Sequence, residues 1–317
     1  MITFTIPRRV RRLIKPKRLE STSQWAERAA FIPPEVGAVT GKLDMDFTPY
    51  MREVLDALDD KFVELVALQS CAQIAKTTGA ICWVGKVIEN DPSPVLWVMP
   101  DIQAVKEFSK ERFQPFIDSC PTLRARKDLD TDRYTLDAMH FDGMWFWFVS
   151  SNSAARLASR PVRYIVVDEI NKYKQLLGDE ADPISLAQRR LVSFDDSKIL
   201  CTSTPTSQHG AISKVIGNCE EVRIYHVPCP ECGMFQELIF PNLKFERNTD
   251  DAGVETNTVK NVWYECEGCH CKIEERSKRD MLIKGRWVSI KKPDRRPKSG
   301  SRGHHHRWGP ANLSLPC

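Results

Sequence analysis

The stretch RYIVVDEINKY, residues 163–173, runs a short apolar segment straight into two adjacent carboxylates. Ile165, Val166 and Val167 are β-branched, and such a run between a basic and an acidic residue reads as a strand buried on both faces of a parallel sheet. Asp168 and Glu169 then stand at its carboxyl end, the edge where open α/β sheets bind ligands. A strand that merely stops at a charged turn has the same appearance. A phosphate-binding loop upstream decides between them.

The segment LQSCAQIAKTTGA, residues 68–80, supplies a candidate for that loop: the end of a strand, small residues, then Lys76-Thr77-Thr78 at a helix start. In a phosphate loop the backbone N–H groups and the helix N-terminus cradle the phosphates, the lysine reaches the outer ones, and the next hydroxyl binds Mg²⁺. Lys76 and Thr77 fit those two roles, with Gln73 and Thr78 as further nucleotide contacts. The pattern GxxxxGK[ST] would place glycines at 70 and 75, where this chain has Ser70 and Ala75. Asp168 would hold the Mg²⁺ through water, and Glu169 would orient and deprotonate an attacking water. Thr202-Ser203-Thr204-Pro205 follows the apolar run KILC; its hydroxyls read as a γ-phosphate sensor or as an ordinary turn before proline.

Around these motifs, helical and strand patterns alternate. KFVELVAL (61–68), SPVLWVMP (93–100), WFWFVSS (145–151), YIVVDE and KILCTSTPT read as strands, and AKTTGAICWVGKVIEN (75–90) reads as a helix. DIQAVKEFSKERFQPFIDSC is amphipathic, with Asp101 as N-cap and Ile102, Val105, Phe108, Phe113 and Phe116 on one face. The alternation predicts an α/β fold, a mostly parallel sheet flanked by helices. The expected organisation is a basic N-terminal arm with a short helix over 1–40, an α/β domain over 41–225, a cysteine-bearing module over 226–290 and a disordered basic tail over 291–317.

The 317 residues are 42% hydrophobic and 28% charged, with no apolar run long enough to cross a membrane and no signal-peptide pattern, so no export is expected. The net charge of +4 is concentrated: Arg8, Arg9, Arg11, Arg12, Lys15, Lys17 and Arg18 crowd one end and KKPDRRPKSGSR lies near the other. Those runs read as solvated tails or as attraction to nucleic-acid phosphates. Of eleven cysteines, four form the pairs Cys229-Pro-Glu-Cys232 and Cys266-Glu-Gly-Cys269, separated by 33 residues. Four thiolates so spaced suit tetrahedral Zn²⁺ in a closed, structural site. Cys271 and His270, beside the second pair, are rival ligands, while His304, His305 and His306 read as tail residues.

Taken in order, DFTPYMREVLDAL, SCAQIAKTT, YIVVDEI, CTSTPT, VPCPECGMFQEL and VWYECEGCHCKIEERSKRDMLIKGRWV resemble the large terminase subunits of tailed phages, of the lambda-type (GpA) family, over residues 40 to 290. The resemblance implies a RecA-like P-loop ATPase core with a C-terminal zinc ribbon. It also implies a motor that hydrolyses ATP to package double-stranded DNA into a procapsid in the host cytoplasm, with a small terminase subunit, a procapsid portal and further copies of itself as partners. By that likeness Lys76 and Thr77 match the phosphate loop, Asp168 and Glu169 the metal-binding and catalytic acids, and Thr202 to Thr204 the coupling motif. Phe47, Pro49 and Tyr50 match an adenine-contacting motif; Tyr50 suits base stacking or the core equally, and Arg156 or Arg160 would neutralise phosphate. Family members continue into a nuclease domain, whereas Asp294 is the only carboxylate after residue 290, so the expectation is a truncated or frameshifted chain from a decayed prophage without endonuclease activity. Two alternatives stay open: a DExx-type helicase, for which too little chain follows residue 210, and a non-hydrolysing scaffold that binds nucleotide or DNA.

Overall fold

The computed structural model describes residues 19–34, 40–157, 160–173, 183–207, 209–249, 255–291 and 311–314. The basic run before residue 19, most of the basic stretch after 291 and the histidines at 304–306 lie outside these residues. In chain order the strands are β1 (Phe31–Ile32), β2 (Gly41–Lys42), β3 (Leu65–Gln69), β4 (Val95–Met99), β5 (Ala138–Phe141), β6 (Met144–Ser150), β7 (Tyr164–Asp168) and β8 (Lys198–Ser203). Then come β9 (Glu221–Pro228), β10 (Phe235–Glu237), β11 (Leu243–Thr249), β12 (Glu255–Glu265), β13 (Lys272–Ile273), β14 (Arg286–Lys291) and β15 (Ala311–Ser314). Three helices matter for the site: α1 (Thr22–Ala29), α2 (Met51–Ala57) and α3 (Lys76–Asn90). Contacts divide the chain into two compact units, residues 1–43 with 77–201, and residues 44–76 with 202–317. Among the described residues no helix is long and apolar enough to cross a membrane.

In the first unit β7 and β6 flank β4 in parallel, in registers Val98↔Val167 and Val98↔Val149, and β5 adds an antiparallel edge. All five residues of β4 and of β7 are buried, as their unbroken apolar runs require of strands covered on both faces. The strand β6 alternates instead: Phe146 and Phe148 are buried while Trp145 and Trp147 are half-buried on the other face. The inward rings meet Trp97, Phe108 and Phe113, with Phe113 stacked on Phe146 at 4.6 Å, a cluster in which each aromatic pair contributes about 0.5–1.5 kcal/mol beyond its buried area. Asp101 caps the helix that follows β4, accepting from the Ala104 N–H at 2.8 Å. The single amphipathic helix expected there is divided into Ile102–Phe108, a π turn at Ser109–Phe113 and Gln114–Ser119. Phe113 and Phe116 are buried by it, and Ile102 in its first turn is 48% exposed.

Within the span expected to be a basic arm, α1 is a packed element. Ser21 and Gln24 form its capping box, and Trp25, fully buried, donates from its indole to Glu89 at 2.8 Å. Arg28 pairs with Glu20 at 2.7 Å and Glu89 at 3.2 Å, tying α1 to the far end of α3. The ring of Trp25 lies so close to Gly85 on α3 that a Cβ there would sit 2.4 Å from it.

In the second unit β9 and β3 run parallel to β15, and β10 and β14 pair with β9 in the antiparallel sense. The strand β15 falls in the span expected to be a disordered tail. A separate sheet is built from the irregular β11–β12 hairpin and β13. The string KGRW has a packing reason: the Tyr225 ring lies where a Cβ on Gly285 would sit, at 2.5 Å, and its hydroxyl donates to the Leu282 carbonyl at 2.6 Å. Trp287 stacks edge-on to Tyr225 and donates to the Tyr50 carbonyl at 3.0 Å, anchoring the start of α2. After β3 the loop takes two left-handed backbone steps without glycine, at Gln73 (φ 62°) and Ala75 (φ 65°). A Cβ in that conformation costs about 1 kcal/mol or more, which is why glycine is usual there.

Two substitutions test these features. Gly85→Ala is expected to lower the stability of the first unit by about 1–2 kcal/mol, because overpacking against the rigid Trp25 ring exceeds the gain in helix propensity; denaturant unfolding followed by tryptophan fluorescence reads it. Ala75→Gly is expected to leave stability unchanged or raise it by up to about 1 kcal/mol, while Ala75→Val, β-branched at φ 65°, lowers it by more than about 1 kcal/mol.

Candidate functional site

At the end of β7 the carboxylate of Asp168 is 2% exposed, and it accepts a hydrogen bond from the Thr77 hydroxyl at 3.2 Å. Thr77 opens α3, so the first turn of that helix and the last residue of the strand present a hydroxyl and a carboxylate to one another. These are hard oxygen donors, the chemistry that Mg²⁺ selects. Glu169 follows with left-handed backbone (φ 55°), which turns the chain off the strand, and its carboxylate forms a 3.5 Å ion pair with the exposed Lys172. Tyr173, unassigned by sequence reasoning, braces this edge: its hydroxyl donates to the Val98 carbonyl on β4 at 2.8 Å and accepts from the Asp168 N–H. Burial first, then the Asp168 charge, push its phenol well above the ordinary range, so it stays a neutral donor. The signal was present in DEINKY, but periodicity gives no partner for a tyrosine five residues past a strand end.

In the second unit Lys76 is 5% exposed, with its ammonium donating to the Cys71 carbonyl at 2.6 Å and the Thr204 hydroxyl at 3.0 Å. The loop is joined a second time, to the end of β8, where the Ser70 N–H donates to the Ser203 carbonyl at 3.2 Å. Ser70, Thr202 and Ser203 are fully buried. The sensor candidates therefore divide: Thr204 meets the lysine, while Thr202 is core. Gln73 is exposed and Thr78 half-buried.

Other sequence candidates have partners of their own. Tyr50 is 9% exposed, edge-on to Tyr225 at 5.8 Å, and burial together with Cys71 and Tyr225 pushes its phenol up to about 12. Its environment is that of a core aromatic, and Phe47, 50% exposed under the Arg279 guanidinium, is the aromatic of that motif facing outward. Arg156 pairs with Asp137 at 2.8 Å and Arg160 lies over the Trp147 ring at 4.8 Å.

The two cysteine pairs form one turn built twice. The Cys229 N–H donates to the Met234 carbonyl and the Gly233 N–H to the Cys229 carbonyl; equally, Cys266 donates to Cys271 and His270 to Cys266. Gly233 (φ 73°) and His270 (φ 57°) hold the equivalent left-handed positions. Gln236 couples the turns, its side-chain oxygen accepting from the Glu267 N–H at 2.8 Å. At Cys229 burial raises the thiol pKa, but the backbone of Cys232 and Glu231 together with the Cys266 and Cys271 side chains outweigh it and bring the group down to about 6, favouring thiolate. Sulfur separations are 3.8 Å for Cys229–Cys269, 3.8 Å for Cys232–Cys266 and 3.5 Å for Cys229–Cys271. Tetrahedral zinc with Zn–S bonds near 2.3 Å needs sulfurs about 3.8 Å apart, so these residues fit such an ion. The group that lies mutually within 4.8 Å is Cys229, Cys266, Cys269 and Cys271, while Cys232 of the expected set stands 3.8 Å from Cys266.

Residues 37–287 match the family model described as "Phage terminase large subunit gpA, ATPase domain". The chain is similar to the terminase large subunit of Enterobacteria phage P21, 25% identical over 278 residues, and to that of Escherichia phage lambda, 23% identical over 284 residues. Each alignment covers 84% of this chain and 41% of the relative, so the chain spans about two fifths of the relatives' length. Among solved structures it is similar to the HK97 bacteriophage large terminase, at TM-score 0.49 and 14% identity, over 64% of this chain and 41% of that one. With most of its length inside the family model, the chain belongs to the phage terminase large subunit gpA family, through the ATPase domain.

Proposed function

We propose that this chain is the ATP-hydrolysing part of a terminase large subunit, converting ATP hydrolysis into packaging of double-stranded DNA into procapsids. The observation that carries the reading is the Thr77 hydroxyl on the buried Asp168 carboxylate at 3.2 Å, a helix start and a strand end brought together within the first unit. A bound magnesium–nucleotide would supply the electrophilic phosphorus and neutralise charge on the phosphates. Thr77 and Asp168 then hold the metal side, directly and through water. Lys76 turns its ammonium from the Cys71 carbonyl toward the outer phosphates. Glu169 accepts the proton of the attacking water, with Lys172 orienting its carboxylate. Thr204 moves with the lysine it touches and links loop state to the segment after β8. Gln73 and Thr78 line the loop, and of the upstream aromatics Phe47, 50% exposed against 9% for Tyr50, is the one whose ring is accessible to a base. The cysteine turns hold a structural zinc ion. A small terminase subunit, a procapsid portal and a ring of like subunits are the partners that this activity requires in the host cytoplasm.

A second reading, a non-hydrolysing remnant that binds nucleotide and DNA, takes its support from Ala75 at the left-handed step where glycine is usual. Glu169→Gln separates the two. Hydrolysis predicts DNA-stimulated turnover that falls by about 100-fold or more in this variant with nucleotide binding retained, and Lys76→Ala removes binding itself. Turnover unchanged by Glu169→Gln would overturn the catalytic assignment, and no turnover in the parent chain would favour the remnant.

A further inference from the structure

The cysteine centre contains one thiol more than a tetrahedral ion uses. Cys229, Cys232, Cys266 and Cys269 occupy equivalent places in the two turns, the first and fourth positions of each repeat closed by the Cys229–Met234 and Cys266–Cys271 backbone bonds. By this repeat they are the resident ligands. The side chain of Cys271 occupies the place that Met234 fills in the first turn, yet its sulfur is 3.5 Å from Cys229 and completes a second group of four with Cys229, Cys266 and Cys269. The two possible sets share three sulfurs and differ only in the fourth. Cys232 is exposed at the rim, whereas Cys271 is half-buried.

We propose that Cys271 is a reserve ligand, a fifth cysteine that takes over the fourth coordination position when Cys232 leaves it; this rests on the reading of the centre as a zinc site. The exchange balances without a redox partner. The metal–sulfur bond to Cys232 breaks and that sulfur takes up a proton, while Cys271 gives up its proton and forms the new bond. Charge at the ion stays the same, and the three shared sulfurs need not move far, because Cys271 already stands within tetrahedral sulfur–sulfur distance of Cys229. Cys232 and Cys271 are therefore singly dispensable and jointly required, whereas Cys229 is required by both sets.

The test uses the full chain, its Cys232→Ser and Cys271→Ser variants and the double variant, loaded with Zn²⁺ or with Co²⁺ as a spectroscopic substitute. Both single variants are expected to keep about one metal per chain and a four-thiolate cobalt spectrum, and the double variant to lose that spectrum and bind at least tenfold more weakly. Alkylation mapped by mass spectrometry gives a second readout: in the zinc-loaded parent Cys271 is labelled and the other four are protected, and in zinc-loaded Cys232→Ser it becomes protected. Loss of metal or of the four-thiolate spectrum in Cys232→Ser overturns the proposal, as does loss in Cys271→Ser, which would make it a permanent ligand. Retention of the spectrum in the double variant, or continued labelling of Cys271 in Cys232→Ser, overturns it as well. A parent chain that takes up neither metal overturns the zinc reading beneath it.

Discussion

The hydrogen bond from Thr77 to Asp168 is the constraint around which the first unit is arranged. A carboxylate that is 2% exposed loses most of its hydration, and an uncompensated one would cost several kcal/mol. At the end of β7 the first turn of α3 brings a hydroxyl to it. That requirement fixes where the helix begins relative to the strand. The remaining length of α3 is held by the contact of Trp25 with Gly85 and by Glu89, which takes both the Trp25 indole and Arg28. The helix carrying Thr77 is thus positioned from both ends, polar at one and aromatic at the other.

The loop before that helix accepts strain that its sequence could have avoided. Ala75 at φ 65° and Gln73 at φ 62° each place a Cβ where glycine has none to place. The conformation persists because the loop is fastened on both sides: Ser70 to the Ser203 carbonyl, and Lys76 back onto the Cys71 carbonyl. A short, charge-assisted bond of the latter kind contributes about 1.5–3 kcal/mol, more than one left-handed alanine costs.

How much of this was legible in the sequence follows from how local each cause is. The strands β4 and β7 read correctly because full burial on both faces writes itself as an unbroken apolar run, and the places of Lys76 and Thr77 at a helix start and of Asp168 at a strand end were legible because such boundaries are local signals. The docking of α1 was not legible, since Trp25 and Gly85 are complementary across 60 residues of chain that no periodicity connects. Tyr50 was ambiguous for the same reason: whether an aromatic faces a ligand or the core depends on Tyr225 and Trp287, both remote in sequence. In the cysteine turns spacing gave the two pairs, but it could not show that the residue two positions past Cys269 turns its sulfur back toward the first turn, as Cys271 does.

The partners of Lys76 also bear on how a nucleotide would be felt. Its ammonium is bound to the Ser70 and Cys71 carbonyls of its own loop and to Thr204, so a phosphate would compete with three existing acceptors before the lysine could serve it. Breaking the carbonyl bond releases the constraint on Cys71 and thereby on the strained steps at Gln73 and Ala75, while breaking the Thr204 bond frees the segment that follows β8. On the proposed reading, phosphate arrival would be a switch of hydrogen-bond partners at one nitrogen. Its energy scale, a few kcal/mol set by charge-assisted bonds gained and lost, is enough to shift a two-state loop by a factor of about a hundred. The same atom that would neutralise phosphate charge is in this way the mechanical link to Thr204, and no longer-range pathway is needed for the loop to report its state to that strand.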